Sequence, residues 1–219
     1  MRCVVLVVCA LVLTACSQSN EGKPQGVANG SPQAATSTSA AAGGESSLRD
    51  RIAWVQAGKT IDLGAYHSAR IDNGPVTDLH ADIAFVSPTG KISCITGVAV
   101  GIEGFDCEVQ LKDPVPQPGE GYGNWFGGYL TYSGDRLTVG QFRGDPGLFI
   151  NGKGQTLPYD STLTFENYTC RLATNGLTCV NPTERTGVQI SDSGIVPFGC
   201  LAEVPESERE PAVGRAYSC

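Results

Sequence analysis

Tyr168-Thr169-Cys170-Arg171-Leu172-Ala173-Thr174-Asn175-Gly176-Leu177-Thr178-Cys179-Val180-Asn181 is the stretch whose reading decides the fold. Two short runs of β-branched and apolar residues flank a Thr-Asn-Gly centre, which is the composition of a β-hairpin. If Cys170 stands opposite Cys179, Leu172 stands opposite Leu177. The connection is then Ala173-Thr174-Asn175-Gly176, a four-residue loop in which Gly176 is free to take positive φ. A two-residue Asn-Gly turn would put the cysteines out of register.

The same reasoning extends upstream. From Asp78, the apolar Leu79, Ala81, Ile83 and Phe85 alternate with Asp78, His80 and Asp82, which predicts a strand. Ser87-Pro88-Thr89-Gly90 reads as a type I turn, with Pro at its second position and Gly at its fourth. Strands over Lys91–Val100 and Phe105–Leu111 follow. Placing Cys94 opposite Cys107 closes that hairpin across Val98–Glu103, beside Gly97, Gly101 and Gly104. Leu48, Ile52 and Val55 fall at helical spacing, so Leu48–Gln56 reads as a short helix or as an initial strand carrying Trp54. With 28 Gly, 13 Pro and few helical patterns, the chain reads as mainly β. The expected fold is a small antiparallel β-sandwich or barrel-like domain over residues 47–219, a length that one core can serve.

The first residues belong to a different layer of organisation. Arg2 precedes an apolar run from Val4 to Leu13, too short for a spanning helix and shaped like a secretory signal. Leu13-Thr14-Ala15-Cys16 resembles the lipobox of bacterial lipoproteins. That resemblance implies removal of residues 1–15 and lipidation of Cys16, with two or more acyl chains giving stable attachment. Residues 16–46 are rich in Ser, Gln, Asn, Gly, Ala, Pro and Thr and read as a flexible tether. Thirty such residues reach about 30 Å. Without Arg2, 14 basic side chains stand against 22 acidic ones, a formal net charge of −8. That balance argues against nucleic acid as a partner.

Nine cysteines are encoded. Cys3 and Cys9 leave with the leader and Cys16 takes the lipid, so Cys94, Cys107, Cys170, Cys179, Cys200 and Cys219 remain. An even set outside the membrane reads as three disulfides, and six cysteines allow about 15 connectivities. The spacing suggests three local pairs in sequence order. A Cys200–Cys219 bridge would staple a carboxyl end that otherwise frays. Between them, Glu203–Glu210 reads as a solvated loop or short helix.

Two stretches resemble a family of uncharacterised secreted proteins and lipoproteins of actinobacteria, mycobacteria included. Phe85-Val86-Ser87-Pro88-Thr89-Gly90-Lys91-Ile92-Ser93-Cys94 is similar to the family's F-x-S-P-S-G-N-I-x-C. Tyr168-Thr169-Cys170 with Gly176-Leu177-Thr178-Cys179-Val180-Asn181 is similar to its F-T-C…G-L-T-C-x-N. Leu157-Pro158-Tyr159 resembles the L-P-Y-G that precedes the second pair. Lys91 stands where the family has Asn, and Gly187–Ser191 echoes its aromatic-rich ending only loosely. The Cys200–Cys219 extension has no counterpart. The resemblance implies a fold and a compartment, and no activity.

Candidate sites are few. Tyr122, Trp125, Phe126, Tyr129 and Tyr132 are interleaved with six glycines in residues 119–134. Such rings could stack on sugars or anchor a protein partner, or Trp125, Phe126 and Leu130 could be core with the glycines serving turns and bulges. Asp78, His80 and Asp82 share a strand face without a further ligand, so no metal and no cofactor is expected. His67 and His80 are the only histidines, and no G-x-S-x-G, H-E-x-x-H or S-x-x-K stands in the folded part. A triad or a carboxylate pair assembled in space would escape this reading. The expected role is therefore an envelope module, anchored outside the cell membrane, that binds a protein or glycan. The alternatives are a hydrolase of envelope polymers and a structural envelope component.

Overall fold

The computed structural model describes residues 38–97, 104–144 and 147–219. It opens with helix α1 (Thr38–Gln56). The strands up to the first disulfide are β1 (Lys59–Thr60), β2 (Ser68–Arg70), β3 (Val76–Asp78), β4 (Ala84–Val86), β5 (Ile92–Thr96) and β6 (Phe105–Val109). Next come β7 (Asn124–Tyr132), β8 (Arg136–Arg143), β9 (Gln155–Thr156), β10 (Ser161–Phe165), β11 (Tyr168–Ala173) and β12 (Gly176–Asn181). The chain closes with β13 (Thr186–Ser191), β14 (Gly194–Gly199), β15 (Ala202–Glu203) and β16 (Val213–Ser218).

These strands form two main sheets. One runs β1-β10-β11-β12-β13-β14 and the other β15-β16-β8-β7-β6-β5-β4-β9, with β2 and β3 as a separate hairpin. Pairing is antiparallel except for β1 with β10 and β4 with β9, two short parallel edges. The sheets face one another across a core that takes Cys94, Cys107, Leu130 and Val139 from one side, and Leu163, Cys170, Leu177 and Ile190 from the other. Phe105 meets Phe165 and Tyr168 edge-on, at 5.8 and 5.6 Å between ring centres. The domain is thus a mainly β sandwich with three disulfides, as the periodicity predicts.

Alternation decides which side chains enter that core. Along β6, Phe105, Cys107 and Val109 point inward, while Asp106 and Glu108 fall on the opposite face of the sheet. That opposite face is partly covered too. Ala69, Leu79, Ala84, Ile95, Tyr129 and Leu148 form a second apolar cluster there, brought over by the β2–β3 hairpin and the segment after β8.

The cysteine registers hold. Cys94 pairs with Cys107, Cys170 with Cys179 and Cys200 with Cys219. Leu172 stands opposite Leu177. The turn differs from the expectation, since Ala173 and Gly176 are themselves paired and only Thr174-Asn175 connects them. The register is the one the cysteines require, and Gly176 absorbs the tight reversal at φ 133°. A Cβ there would meet the Ile190 carbonyl oxygen at 2.3 Å.

Three other expectations need correction. The strand read from Asp78 to Phe85 is interrupted. β3 ends at Asp78 and β4 begins at Ala84, with His80 at φ 59° between them. The Asp78 carboxylate accepts from the His80 backbone N–H at 2.8 Å, and this local bond competes with the ladder. The helix read from Leu48 begins at Thr38, so it includes the last residues assigned to the tether. Strand β6 stops at Val109, two residues before Leu111. Residues 1–15, Cys16, the remaining tether and the Val98–Glu103 closure lie outside the described residues.

The Ser87–Gly90 turn is closed by the Gly90 N–H donating to the Ser87 carbonyl at 2.8 Å. The acidic Glu203–Glu210 segment contains a short turn at Glu206–Glu208. It is organised by Arg209, which donates to the Val204 and Gly214 carbonyls and to the Glu203 carboxylate at 2.8, 2.8 and 2.9 Å.

Candidate functional site

The aromatic–glycine stretch does not form a single platform. On β7, Tyr129 and Tyr132 are buried at 2% and 0% exposure. Trp125 is half-buried, its Nε1–H donating to the Val115 carbonyl at 3.0 Å and its ring edge-on to Phe142. Tyr122 and Phe126 remain exposed. A bulge between Phe126 and Leu130 separates Phe126 from the inward-facing part of the strand. Gly128 belongs to that bulge because a Cβ would meet the Val109 carbonyl oxygen at 2.0 Å. The binding surface read for Tyr122, Trp125, Phe126, Tyr129 and Tyr132 is therefore corrected: Tyr132 enters the core, Phe126 and Tyr129 line one outer cavity, Trp125 packs on Phe142, and Tyr122 lies ahead of the strand.

Tyr129 instead completes a buried polar network on the outer side of the larger sheet. Its hydroxyl donates to Asp106 Oδ1 at 2.7 Å, and the Thr131 hydroxyl donates to the same oxygen at 2.5 Å. Arg143 lies 3.8 Å from that oxygen, hydrogen-bonds the Tyr129 hydroxyl and covers the Tyr129 ring at 4.2 Å. Burial and then the Asp106 carboxylate push the Tyr129 phenol well above its ordinary pKa. Above the network a cavity of about 280 Å³ is walled by Phe126, Leu148, Phe149 and Ile150.

A second cleft, with a mixed polar and apolar lining, is formed where turns of both sheets meet. It has a volume of about 300 Å³, and its walls come from four separate turns and connections. The turn before β5 supplies Ser87, Thr89 and Lys91. The connection from β9 to β10, which crosses from one sheet to the other, supplies Tyr159. The β11–β12 turn supplies Thr174 and Asn175, and the β13–β14 turn supplies Ser191, Asp192 and Ser193. Tyr159 is 39% exposed. The crossing is held by the Leu157 N–H on the Val86 carbonyl and the Asp160 N–H on the Leu172 carbonyl, at 2.8 and 2.7 Å.

A charged clasp ties the two sheets together at this cleft. Lys91 Nζ lies 2.8 Å from Asp192 Oδ2, and Lys112 Nζ lies 3.3 Å from Oδ1. The hydrogen bond from Lys91, then that from Lys112, lowers the Asp192 carboxyl from its ordinary 3.8 to about 2. Other lining hydroxyls are also held in place. Ser87 Oγ accepts from the Ile92 N–H at 3.1 Å, and Ser191 Oγ accepts from the Ser193 N–H at 3.2 Å. The cleft therefore presents hydroxyl, amide, ammonium and carboxylate groups in fixed positions around an exposed ring. Such preorganisation lowers the entropic cost of binding.

The other sequence candidates do not join it. His80 pairs with Asp78 at 3.7 Å on the exposed loop. Asp82 turns away to accept from the Thr96 hydroxyl at 3.1 Å, so the shared face read for Asp78, His80 and Asp82 does not exist. Among the described residues, no three His, Cys, Asp or Glu side chains converge as a metal site. His67 Nδ1 lies 2.9 Å from the Asp82 carbonyl oxygen. The cleft residues carry no single sequence signature. Of the polar and aromatic side chains lining the cleft, only Ser87 and Tyr159 fall at matching positions of the family resemblance. No protein-family model, curated protein or solved structure matches this chain.

Proposed function

We propose that this protein is a glycan-binding lipoprotein of the actinobacterial cell envelope, moored outside the membrane through acylated Cys16. The observation that carries the binding reading is one convergence. Turns and connections from both sheets bring Ser87, Thr89, Lys91, Tyr159, Thr174 and Asn175 to one cleft, and two of them, Ser87 and Tyr159, fall at matching positions of the stretches that resemble the secreted actinobacterial family. A half-exposed phenol ring offers a flat apolar face to a sugar ring, and the surrounding hydroxyl, amide and charged groups match alternating donors and acceptors.

A glycan suits this cleft better than a peptide added as a strand. Strand addition needs a free, regular edge. Among the described edge strands, β1, β9 and β15 have two residues each, and β14 carries Pro197. Short edges and edge prolines are features that discourage further pairing.

The test uses the full-length protein in mild detergent against immobilised polysaccharides and a folded control protein. Tyr159→Ala is expected to weaken retention at least tenfold with little change in thermal midpoint. Retention of no polysaccharide, or equal retention by Tyr159→Ala, would overturn the reading. The address is tested separately: labelled palmitate should enter the wild type, while Cys16→Ser should lose both label and membrane fraction.

A further inference from the structure

We propose that the ligand is a linear oligosaccharide rather than a single sugar, and that Trp54 and Gln189 form a second subsite for it. This inference rests on the glycan reading of the first cleft. Asn175, at the tip of the β11–β12 turn, lines that cleft and also a second basin of about 530 Å³. The second basin lies over the outward-facing side of the smaller sheet, where Thr178 and Gln189 are register partners, and is walled by Arg51 and Trp54 of α1. The turn thus separates two basins that share one amide.

The second basin repeats the chemistry of the first. Trp54 is 39% exposed, as is Tyr159. The Trp54 ring is held by Arg171, whose guanidinium carbon lies 4.4 Å from the ring centre and whose Nη1 donates to the Trp54 carbonyl at 2.7 Å. A fixed aromatic ring beside an amide, a hydroxyl and the oppositely charged Asp50 and Arg51 is again a polar platform without net charge. Helix α1 is set against the sheet by the Thr162 hydroxyl donating to the Val55 carbonyl at 3.0 Å, so Trp54 is presented from a docked element. A chain whose first ring lies on Tyr159 passes Asn175 and places a later ring beside Trp54. Linking two modest subsites in this way raises affinity through effective concentration.

Binding is measured by calorimetry with the full-length protein and matched disaccharides and hexasaccharides of the gluco-, manno- and N-acetylglucosamine series. In the series that binds best, the hexasaccharide is expected to bind at least tenfold more tightly than the disaccharide. Trp54→Ala should remove most of that advantage, whereas Tyr159→Ala should weaken binding of both lengths. Gln189→Ala, on a strand whose backbone it leaves intact, should remove part of it, and Trp54→Phe should restore most of it. Equal affinity for both lengths, or variants that leave the length dependence intact, would overturn the second subsite alone. Failure of every disaccharide and hexasaccharide to bind would overturn the glycan reading and this extension with it.

Discussion

Replacing Asp106 with Asn tests the buried network that holds Tyr129 against the larger sheet. Asp106 is 2% exposed and one of its oxygens receives both the Tyr129 and Thr131 hydroxyls. Asparagine can keep that oxygen in place, so both bonds survive as neutral ones. Hydrogen bonds to charged groups contribute about 1 kcal/mol more than neutral ones, so two of them account for about 2 kcal/mol. The ion pair with Arg143 adds little, because that side chain is 31% exposed and the contact is 3.8 Å. The expected loss is about 2–3 kcal/mol, or a fall of roughly 4–12 °C in thermal midpoint for a domain of this size. Asp106→Leu removes the acceptor altogether and leaves the buried Tyr129 and Thr131 hydroxyls without one, which costs about 3–5 kcal/mol. Guanidinium unfolding with the disulfides intact gives both values. The reasoning fails if Asp106→Leu proves as stable as Asp106→Asn, or if Asp106→Asn lies within about 0.5 kcal/mol of wild type. Adding Tyr129→Phe and Thr131→Val to Asp106→Leu should recover part of the loss, because the stranded donors go with the acceptor.

Trp125→Ala should lower stability by about 2–4 kcal/mol, somewhat below a fully buried Trp→Ala change, and leave glycan retention intact below the new midpoint. Retention lost without a stability change would return Trp125 to the binding surface. The double change Cys200→Ser and Cys219→Ser should cost about 3 kcal/mol, from loop closure across a sequence separation of 19, with limited proteolysis releasing the β16 end first. Unchanged stability and proteolysis would show that β16 is held by its pairing alone. Asp192 has a pKa below its ordinary value, so its clasp stabilises the fold above about pH 3.8 and fades as pH falls towards about 2. The midpoint difference between wild type and Asp192→Asn should therefore begin to narrow below about pH 5 and close by about pH 1. A gap that closes near pH 6, or persists at about pH 1, contradicts the assigned cause.

The hairpins were legible because a cross-strand disulfide leaves one register only. Cys94 with Cys107 and Cys170 with Cys179 fix every opposed pair in β5–β6 and β11–β12. The turn length between Ala173 and Gly176 was not, because a glycine at φ 133° lets a shorter connection keep the same register. The strand expected at Asp78–Phe85 failed for a different reason. Apolar alternation is a statement about burial, and Leu79 and Ile83 are indeed buried. The backbone between them still leaves the sheet, because Asp78 bonds the His80 N–H and Asp82 is drawn to Thr96. Polar side chains that capture local donors are the term that a periodicity count omits.

The same omission explains why the aromatic stretch looked like a site and the cleft did not. Aromatic residues crowded in sequence are spread by a strand: Leu130 and Tyr132 go to one face, Tyr129 to the other, and the bulge at Phe126 displaces the rest. The cleft follows the opposite rule. Its residues come from turns and connections spread between Ser87 and Ser193, and they meet because the β9–β10 connection carries the chain from one sheet to the other beside the Ser87–Gly90 turn. Lys91 and Asp192 are separated by 101 positions, and no local pattern predicts their contact at 2.8 Å. Core positions repeat with the strand period, so a sequence displays them; turn positions are released from that period, and it is there that this fold gathers its exposed polar chemistry. For a disulfide-fixed sandwich of this kind, the informative step from sequence to function is to ask which turns the known registers bring to the same end. Here the β11–β12 register brings Asn175 to the end where the turn before β5, the β9–β10 connection and the β13–β14 turn place Lys91, Tyr159 and Asp192.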